Sequence, residues 1–254
     1  GMAPECFSAL SAEAPGQGPG FADIERAGDW NSPCFLCLIH SSARSRADSK
    51  GSFVSGEIKA AVLLATFNGG KYVTELLESM ASQTFKNFVL FVRDDGSSDN
   101  TISLVRRFSK RISMSILKAR SRVGPAKSFF ELLSGAGADF DLYCFADQDD
   151  VWAGSKIERA AQKLSQFKNR PAMYCSRLEY VDEQLKHIRY SRPPRIISFE
   201  NALVENIATG CTVAINSKSR NLLLRTPPEA MYMHDWWFYV FHAAIGEVLY
   251  DDFP

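Results

Sequence analysis

The sequence predicts an α/β protein: a mainly parallel central sheet flanked by helices. Three observations carry this expectation. Short apolar runs without alternation, such as Ile58-Lys-Ala-Ala-Val-Leu-Leu-Ala65, fit strands covered on both faces. Segments of about 10 to 15 residues with apolar side chains at helical spacing separate these runs, as parallel strands require of their crossovers. Acid-rich turns close the runs at Asp94-Asp95 and Asp147-Gln-Asp-Asp150, where the loops of an open parallel sheet meet ligands.

Each element follows in order. Asn68-Gly-Gly70 breaks the first strand, and Tyr72, Leu76, Leu77 and Met80 recur at helical spacing. Phe88-Val-Leu-Phe-Val92 returns to strand character and runs into Asp94-Asp-Gly-Ser-Ser-Asp99. Ile102, Val105 and Phe108 mark a second helix, and Met114 to Leu117 a third strand. Gly124 through Leu133 reads as a third helix and Leu142-Tyr-Cys-Phe-Ala146 as a fourth strand. Lys156 to Phe167 forms another helix with Ile157, Ala160, Ala161 and Leu164 on one side. Beyond Ala172 the pattern loosens, with strand character at Met173-Tyr-Cys175 and at Gly210-Cys-Thr-Val-Ala-Ile215.

Residues 1–56 are rich in Gly, Ala, Ser and Pro and show no sustained period, so they read as an N-terminal extension, partly disordered. The folded domain is expected over 57–254, with a nucleotide-binding half at about 57–152 and an acceptor-facing half at about 153–254. No polar linker divides these two halves.

The 29 basic and 29 acidic residues cancel, which argues against a nucleic-acid partner. The longest early apolar run, Pro33 to Ile39, falls far short of the roughly 20 residues that cross a bilayer. The expectation is a cytoplasmic enzyme, with the inner face of the membrane as one place for it to work. Of six cysteines, Cys144, Cys175 and Cys211 lie in or beside apolar runs and read as buried free thiols. Cys34, Cys37 and His40 have zinc-like spacing but lack a nearby fourth ligand.

The acid turns carry the chemistry. A carboxylate at Asp94 or Asp95 can accept hydrogen bonds from a base or a ribose, although such a turn can also serve only as a loop and helix cap. Three carboxylates within Asp147-Gln-Asp-Asp150 would repel one another in a poorly hydrated cleft unless a cation intervened. Asp147 and Asp149 are therefore the candidate ligands of Mg²⁺ or Mn²⁺, hard cations that also take diphosphate oxygens. The chain contains neither Gly-x-Gly-x-x-Gly after the first strand nor Gly-x-x-x-x-Gly-Lys-Ser/Thr, so a dinucleotide dehydrogenase and a P-loop ATPase lose their main support.

His234-Asp-Trp-Trp237 opens an apolar helix. Asp235 is the candidate general base there, with helix capping as its plain structural alternative. Trp236 and Trp237, with Asp150, Trp152 and Arg192, are candidates for the sugar or acceptor pocket. Arg189, Arg192 and Arg195 surround Tyr190 and Pro193-Pro194, in a segment that reads either as an acceptor contact or as a solvated basic loop.

Taken together these residues resemble the family-2 glycosyltransferases. The likeness covers about residues 58–252: Leu64-Ala-Thr-Phe-Asn-Gly69 with Tyr72, Asp94-Asp-Gly-Ser-Ser-Asp-Asn-Thr101, Arg122-Val-Gly124, Phe145-Ala-Asp-Gln-Asp-Asp-Val-Trp152, Thr209-Gly-Cys211 and His234-Asp-Trp-Trp237. The pairing of the last acid motif with His-Asp-Trp-Trp is most similar to the rhamnosyltransferase-like branch. The resemblance implies a GT-A fold, Rossmann-like, and metal-dependent inverting transfer from a nucleoside-diphosphate sugar to an acceptor hydroxyl in bacterial cell-surface polysaccharide synthesis. A carbohydrate or a lipid-linked carrier is the implied acceptor. By position the family's nucleoside contacts fall on Thr66, Asn68, Asp94 and Asp95, with Asp147 beside them. Its Asp-x-Asp falls on Asp147 and Asp149, and its base on Asp235. Relatives continue past Gly246-Glu-Val-Leu-Tyr250 into a Tyr-Arg-x-His-like segment, whereas this sequence stops at Pro254; the expectation is a C-terminally truncated domain or one without that lid.

Two other classes stay open. A sugar-1-phosphate nucleotidyltransferase would need a Gly-rich, cationic loop after the first strand, and Ala65-Thr-Phe-Asn-Gly-Gly70 has no cation before Lys71. A catalytically silent nucleotide-sugar binding module is the other.

Overall fold

The computed structural model describes residues 58–119, 121–228 and 233–254. The reading of Cys34, Cys37 and His40, and that of the extension, lie outside these residues. The first strand, β1 (Ala60–Thr66), is followed by α1 (Val73–Ala81), β2 (Phe88–Asp94), α2 (Thr101–Arg107), β3 (Met114–Leu117), α3 (Pro125–Gly135) and β4 (Leu142–Asp147). Then come α4 (Lys156–Leu164), β5 (Ala172–Ser176), a hairpin of β6 (Glu179–Val181) and β7 (His187–Tyr190), and α5 (Phe199–Ala202). The series closes with β8 (Ala214–Asn216), α6 (Ser217–Arg225), α7 (His234–Ile245) and β9 (Glu247–Asp251).

Seven strands form one sheet in the order β3-β2-β1-β4-β8-β5-β9. All neighbours are parallel except β8, which runs antiparallel to Leu142–Cys144 on one side and to Met173–Tyr174 on the other. This is the mainly parallel α/β architecture expected, with one reversed strand between β4 and β5.

The lack of alternation in the apolar runs has a direct cause. Along β1, Ala60, Val62 and Leu64 pack into one core, and Ala61 and Leu63 into another on the opposite face. The first face is covered by α1, α2 and α4 through Leu76, Leu77, Val105, Ile157 and Ala161. The second is covered by α3, α6 and α7 through Phe129, Leu132, Leu223 and Phe238. Truncating one such side chain, for example Leu77→Ala, costs about 2–5 kcal/mol. Cys144, Cys175 and Cys211 are buried free thiols, as read from the sequence.

Polar side chains bind the last elements together. Arg159 of α4 holds Asp251 of β9 through Nε (2.9 Å) and Nη2 (2.7 Å), and the Tyr174 hydroxyl donates to the same carboxylate at 3.0 Å. His242 of α7 is fully buried between the Phe238 carbonyl and the Ser219 hydroxyl, each 2.7 Å away. Among the described residues no helix is long and apolar enough to cross a membrane.

Candidate active site

The carboxyl ends of β1, β2 and β4 meet along one edge of the sheet, because residues Ala60–Thr66 run in register with both neighbours. Thr66 pairs with Asp94, and Ala65 with Asp147. The acidic turns are thereby set side by side.

Asp94 shapes its own loop. It accepts from the Thr66 hydroxyl (2.8 Å), from the Ser97 hydroxyl (2.5 Å) and from the Gly96 and Ser97 amides (3.2 and 2.8 Å). Asn68, in the left-handed region at φ 48°, accepts from the Ser98 amide at 2.9 Å. Asn tolerates that conformation better than most residues. Thr66 and Asp94 are thus partners of one another, and Asn68 engages the same loop through Ser97 and Ser98.

Asp95 is buried and tied to Arg93, itself 1% exposed, through Nη1 at 2.7 Å. The amides of Val123 and Gly124 also donate to it, at 2.9 and 2.8 Å. Burial alone would raise its pKa, but Arg93 and the two amides outweigh burial and hold it below the usual carboxylate range. Both Asp95 oxygens are engaged by protein donors, so this residue fastens the loop at residues 121–124 to β2. Arg122 on that loop stacks its guanidinium 3.8 Å from the Phe67 ring.

The fourth strand ends in the acid cluster. Burial, then Asp150, Asp149 and Asp235, raise the Asp147 pKa to about 7. Burial also raises that of Asp150, where a hydrogen bond from the Cys211 thiol works in the opposite direction. Carboxylate oxygens of Asp147 and Asp150 and the Cys211 sulfur lie within 4.8 Å of one another. The two carboxylates suit a hard divalent cation such as Mg²⁺ or Mn²⁺, whereas the Cys211 thiol, kept protonated by burial, is a poor ligand for either. Asp149, the other expected ligand, is exposed and is not in this group. The residue spacing alone could not distinguish Asp149 from Asp150, because the strand ends at Asp147 and side-chain direction is no longer set by the pleat.

Across from this cluster, Asp235 is 4% exposed in the first turn of α7. Its Oδ2 accepts from the Gly210 amide (2.9 Å), its Oδ1 from the Trp236 amide (2.7 Å), and the Asn206 side chain also bonds to it. Burial outweighs these three donors and leaves its pKa raised. Gly210 separates Asp235 from Asp147: a Cβ at residue 210 would meet the His234 ring at 3.1 Å and Asp147 Oδ2 at 3.3 Å. The site leaves almost no room for a side chain there. His234 points inward and is buried. It lies 4.1 Å from the Phe129 ring, centroid to centroid, with Nε2 buried and unpartnered, and burial lowers its pKa to about 3.

The remaining pocket candidates separate. Trp152 is 5% exposed and packs in the core beneath the ammonium of Lys156, which keeps its indole away from any open sugar pocket. Trp237 packs against the other core. Trp236 is 37% exposed, with its indole N–H donating to the Ala202 carbonyl at 2.8 Å. Arg192 lines a cavity of about 590 Å³ that also reaches Asn206 and Thr209. Sequence reading gave no functional role to Gln148, Arg93 or Cys211, although Gln148 and Cys211 stood inside quoted motifs.

Residues 61–239 match the family model described as glycosyl transferase family 2. The chain belongs to that family. Its fold is GT-A, the class shared with glycosyltransferases of known structure. Among relatives of family 2, a dTDP-rhamnosyl transferase, RfbG of Shigella flexneri, is 28% identical over 70% of this chain and 64% of its own length. The chain therefore spans somewhat under two thirds of that protein. TarS of Staphylococcus aureus in complex with UDP superimposes with a TM-score of 0.56 at 23% identity, over 76% of this chain and 58% of that one. A mannosyltransferase of Pyrobaculum calidifontis, PcManGT, bound to GDP-Man and Mn²⁺, gives a TM-score of 0.56 at 19% identity, over 75% and 54%.

Proposed function

We propose that this family-2 domain transfers a sugar from a nucleoside-diphosphate donor to an acceptor hydroxyl with inversion, and that Asp235 is its general base. One observation carries the reading: a buried carboxylate with raised pKa is held by three donors, the Gly210 amide among them, and is not part of the Asp147–Asp150 cluster. A base needs a fixed carboxylate separate from the groups that face the diphosphate. Asp235 meets that need, and Asp147 and Asp150 form the second set.

In the transfer, the Asp235 carboxylate takes the proton of the acceptor hydroxyl as that oxygen bonds to the anomeric carbon. The bond from that carbon to the donor diphosphate breaks, and its electron pair leaves with the diphosphate. A bound Mg²⁺ or Mn²⁺ would supply positive charge for the departing diphosphate. Asp147 and Asp150, with Cys211 beside them, are the residues that would hold it. The loops carrying Thr66, Asn68 and Asp94 face the nucleoside, with Asp94 organising the loop and the Arg93–Asp95 pair anchoring its neighbour. The similarity to a dTDP-rhamnosyl transferase supports a nucleoside-diphosphate sugar as donor.

Product analysis tests the reading against its rivals. A transferred sugar of inverted configuration with free nucleoside diphosphate is expected. Released pyrophosphate would instead mark a nucleotidyltransferase, and donor binding with no turnover a silent module.

A further inference from the structure

A feature near the base with no role so far is the cavity of about 590 Å³ walled by Leu178 and Tyr180, the segment at residues 191–196 and the stretch at 205–209. Its charges are unbalanced in a specific way. Among the described residues with basic side chains nearby, Arg177 bonds the Ser191 carbonyl (2.9 Å) and pairs with Asp252 (3.4 Å), while Arg189 stacks 4.1 Å over the Tyr180 ring. Those two hold the frame. Arg192 and Arg195 line the cavity and make no ion pair within the described chain. The one carboxylate in the lining, Glu205, accepts from the Asn201 side chain at 2.9 Å. Pro193 and Pro194 restrict the backbone between the two guanidinium groups, which reduces the entropy lost when both engage one ligand.

The cavity also touches the reaction centre. Asn206 and Thr209 belong to its wall, and the Asn206 side chain bonds the Asp235 carboxylate. The Tyr250 hydroxyl, buried in the same wall beside Ser191, has no well-formed hydrogen bond. A ligand seated here would meet two guanidinium groups without ion-pair partners among the described residues, and Asn206, which bonds the base.

We infer that this cavity receives the acceptor, and that the acceptor is a saccharide bearing an oxyanion bound by Arg192 and Arg195. The inference rests on the glycosyltransferase reading and adds the substrate class. Paired guanidinium groups suit phosphate and carboxylate alike because their donors match two oxygens at once. A hydroxylated ring can then present its free hydroxyl toward Asp235.

The experiment is a calorimetric titration of the full chain with Mn²⁺ and whichever of UDP, dTDP or GDP binds. Four probes follow: N-acetylglucosamine, N-acetylglucosamine 1-phosphate, glucuronate, and N-acetylglucosamine diphosphate carrying a decyl chain. At least tenfold tighter binding of an anionic probe than of neutral N-acetylglucosamine is expected. The strongest of the three anionic probes tells a sugar phosphate from a uronate or a lipid-linked diphosphate. In the Arg192→Gln/Arg195→Gln variant that preference should fall about tenfold or more, with nucleoside diphosphate affinity unchanged. Equal affinity for neutral and anionic probes, absent binding of every anionic probe, or an unaltered preference in the double variant would overturn the inference. Failure of all three nucleoside diphosphates to bind would instead count against the donor site itself.

Discussion

Gln148 at the end of β4 holds the backbone of Phe67 at the end of β1 through two reciprocal bonds, accepting from the Phe67 amide at 2.9 Å and donating to its carbonyl at 3.0 Å. Gly69 makes room for this clamp, since a Cβ there would lie 2.2 Å from Gln148 Oε1. The obstructed atom ends a flexible side chain, so Gly69→Ala should fold with the clamp displaced. A loss of about 1–2 kcal/mol in stability is expected from two hydrogen bonds, together with weaker nucleoside diphosphate binding. In a Gln148→Ala background the Gly69→Ala change should add little. Melting curves and titrations of the four-variant cycle check this, and strictly additive effects would refute the coupling.

Replacing Asp235 by Asn keeps size and polarity and removes basicity. The expected result is a fall in kcat of roughly 10²-fold or more, with donor affinity nearly unchanged. Because burial raises the Asp235 pKa and the base must be ionised, kcat should drop as pH falls through that raised value. Steady-state kinetics across pH on an active parent enzyme is the measurement. Near-normal turnover in Asp235→Asn would return the residue to a capping role.

Cation binding should be coupled to a proton at Asp147, whose pKa is raised to about 7. The folded carboxyl keeps a proton that the unfolded one has released above its ordinary value near 3.8. In chelator its contribution to stability is therefore fully present below that value and lost as pH rises through about 7. Mn²⁺ should raise Tm at pH 8 and do little at pH 5, and Asp147→Asn should abolish the difference. Thermal melts with and without cation, compared at each pH, decide it. A shift of equal size at both pH values would dismiss the linkage.

His242 should make the fold acid-sensitive. Burial outweighs the Phe238 carbonyl and lowers its pKa to about 4, against 6.5 for the free side chain. The unfolded chain takes up this proton first, so stability present above 6.5 is lost as pH falls toward 4. His242→Gln should be less stable at pH 7, through the broken link to Ser219, yet show a shallower decline in acid. Urea unfolding between pH 7 and pH 4.5 reads both effects, and an unchanged slope would exclude His242 as the source.

Much of the stretch before Ala172 was legible because its signals are local. Met114–Leu117 has the same bounds in sequence and structure, and β1, β2 and β4 shift by no more than two residues at either end. Their apolar runs are buried on both faces, which periodicity reports directly. The later half was harder to read. Gly210 to Ile215 looks like one strand, but Gly210–Thr212 is a tight turn and only Ala214–Asn216 pairs. That turn is dictated by distant groups, Asp235 on the Gly210 amide and Asp150 near Cys211, which a single stretch of sequence does not display. The β6–β7 hairpin is exposed on all its residues, so it carries no core-facing pattern. The inward turn of His234 follows from packing against Phe129 and Phe145, which are remote in sequence.

The reversed strand β8 has a mechanical consequence. β1 is laced to its neighbours along nearly its whole length, whereas β8 meets β4 over Leu142–Cys144 and β5 over only Met173–Tyr174. The sheet is thus most weakly joined at β8, with the loops after β1, β2 and β4 on one side and the wall around residues 172–209 on the other. A small rotation about Ala214–Asn216 would alter the gap between Asp147 and Asp235 and slide the His234 and Phe238 rings over Phe129 and Phe145. Opening for substrate exchange can then draw on the stiffness of a three-residue strand, with no need to melt a helix.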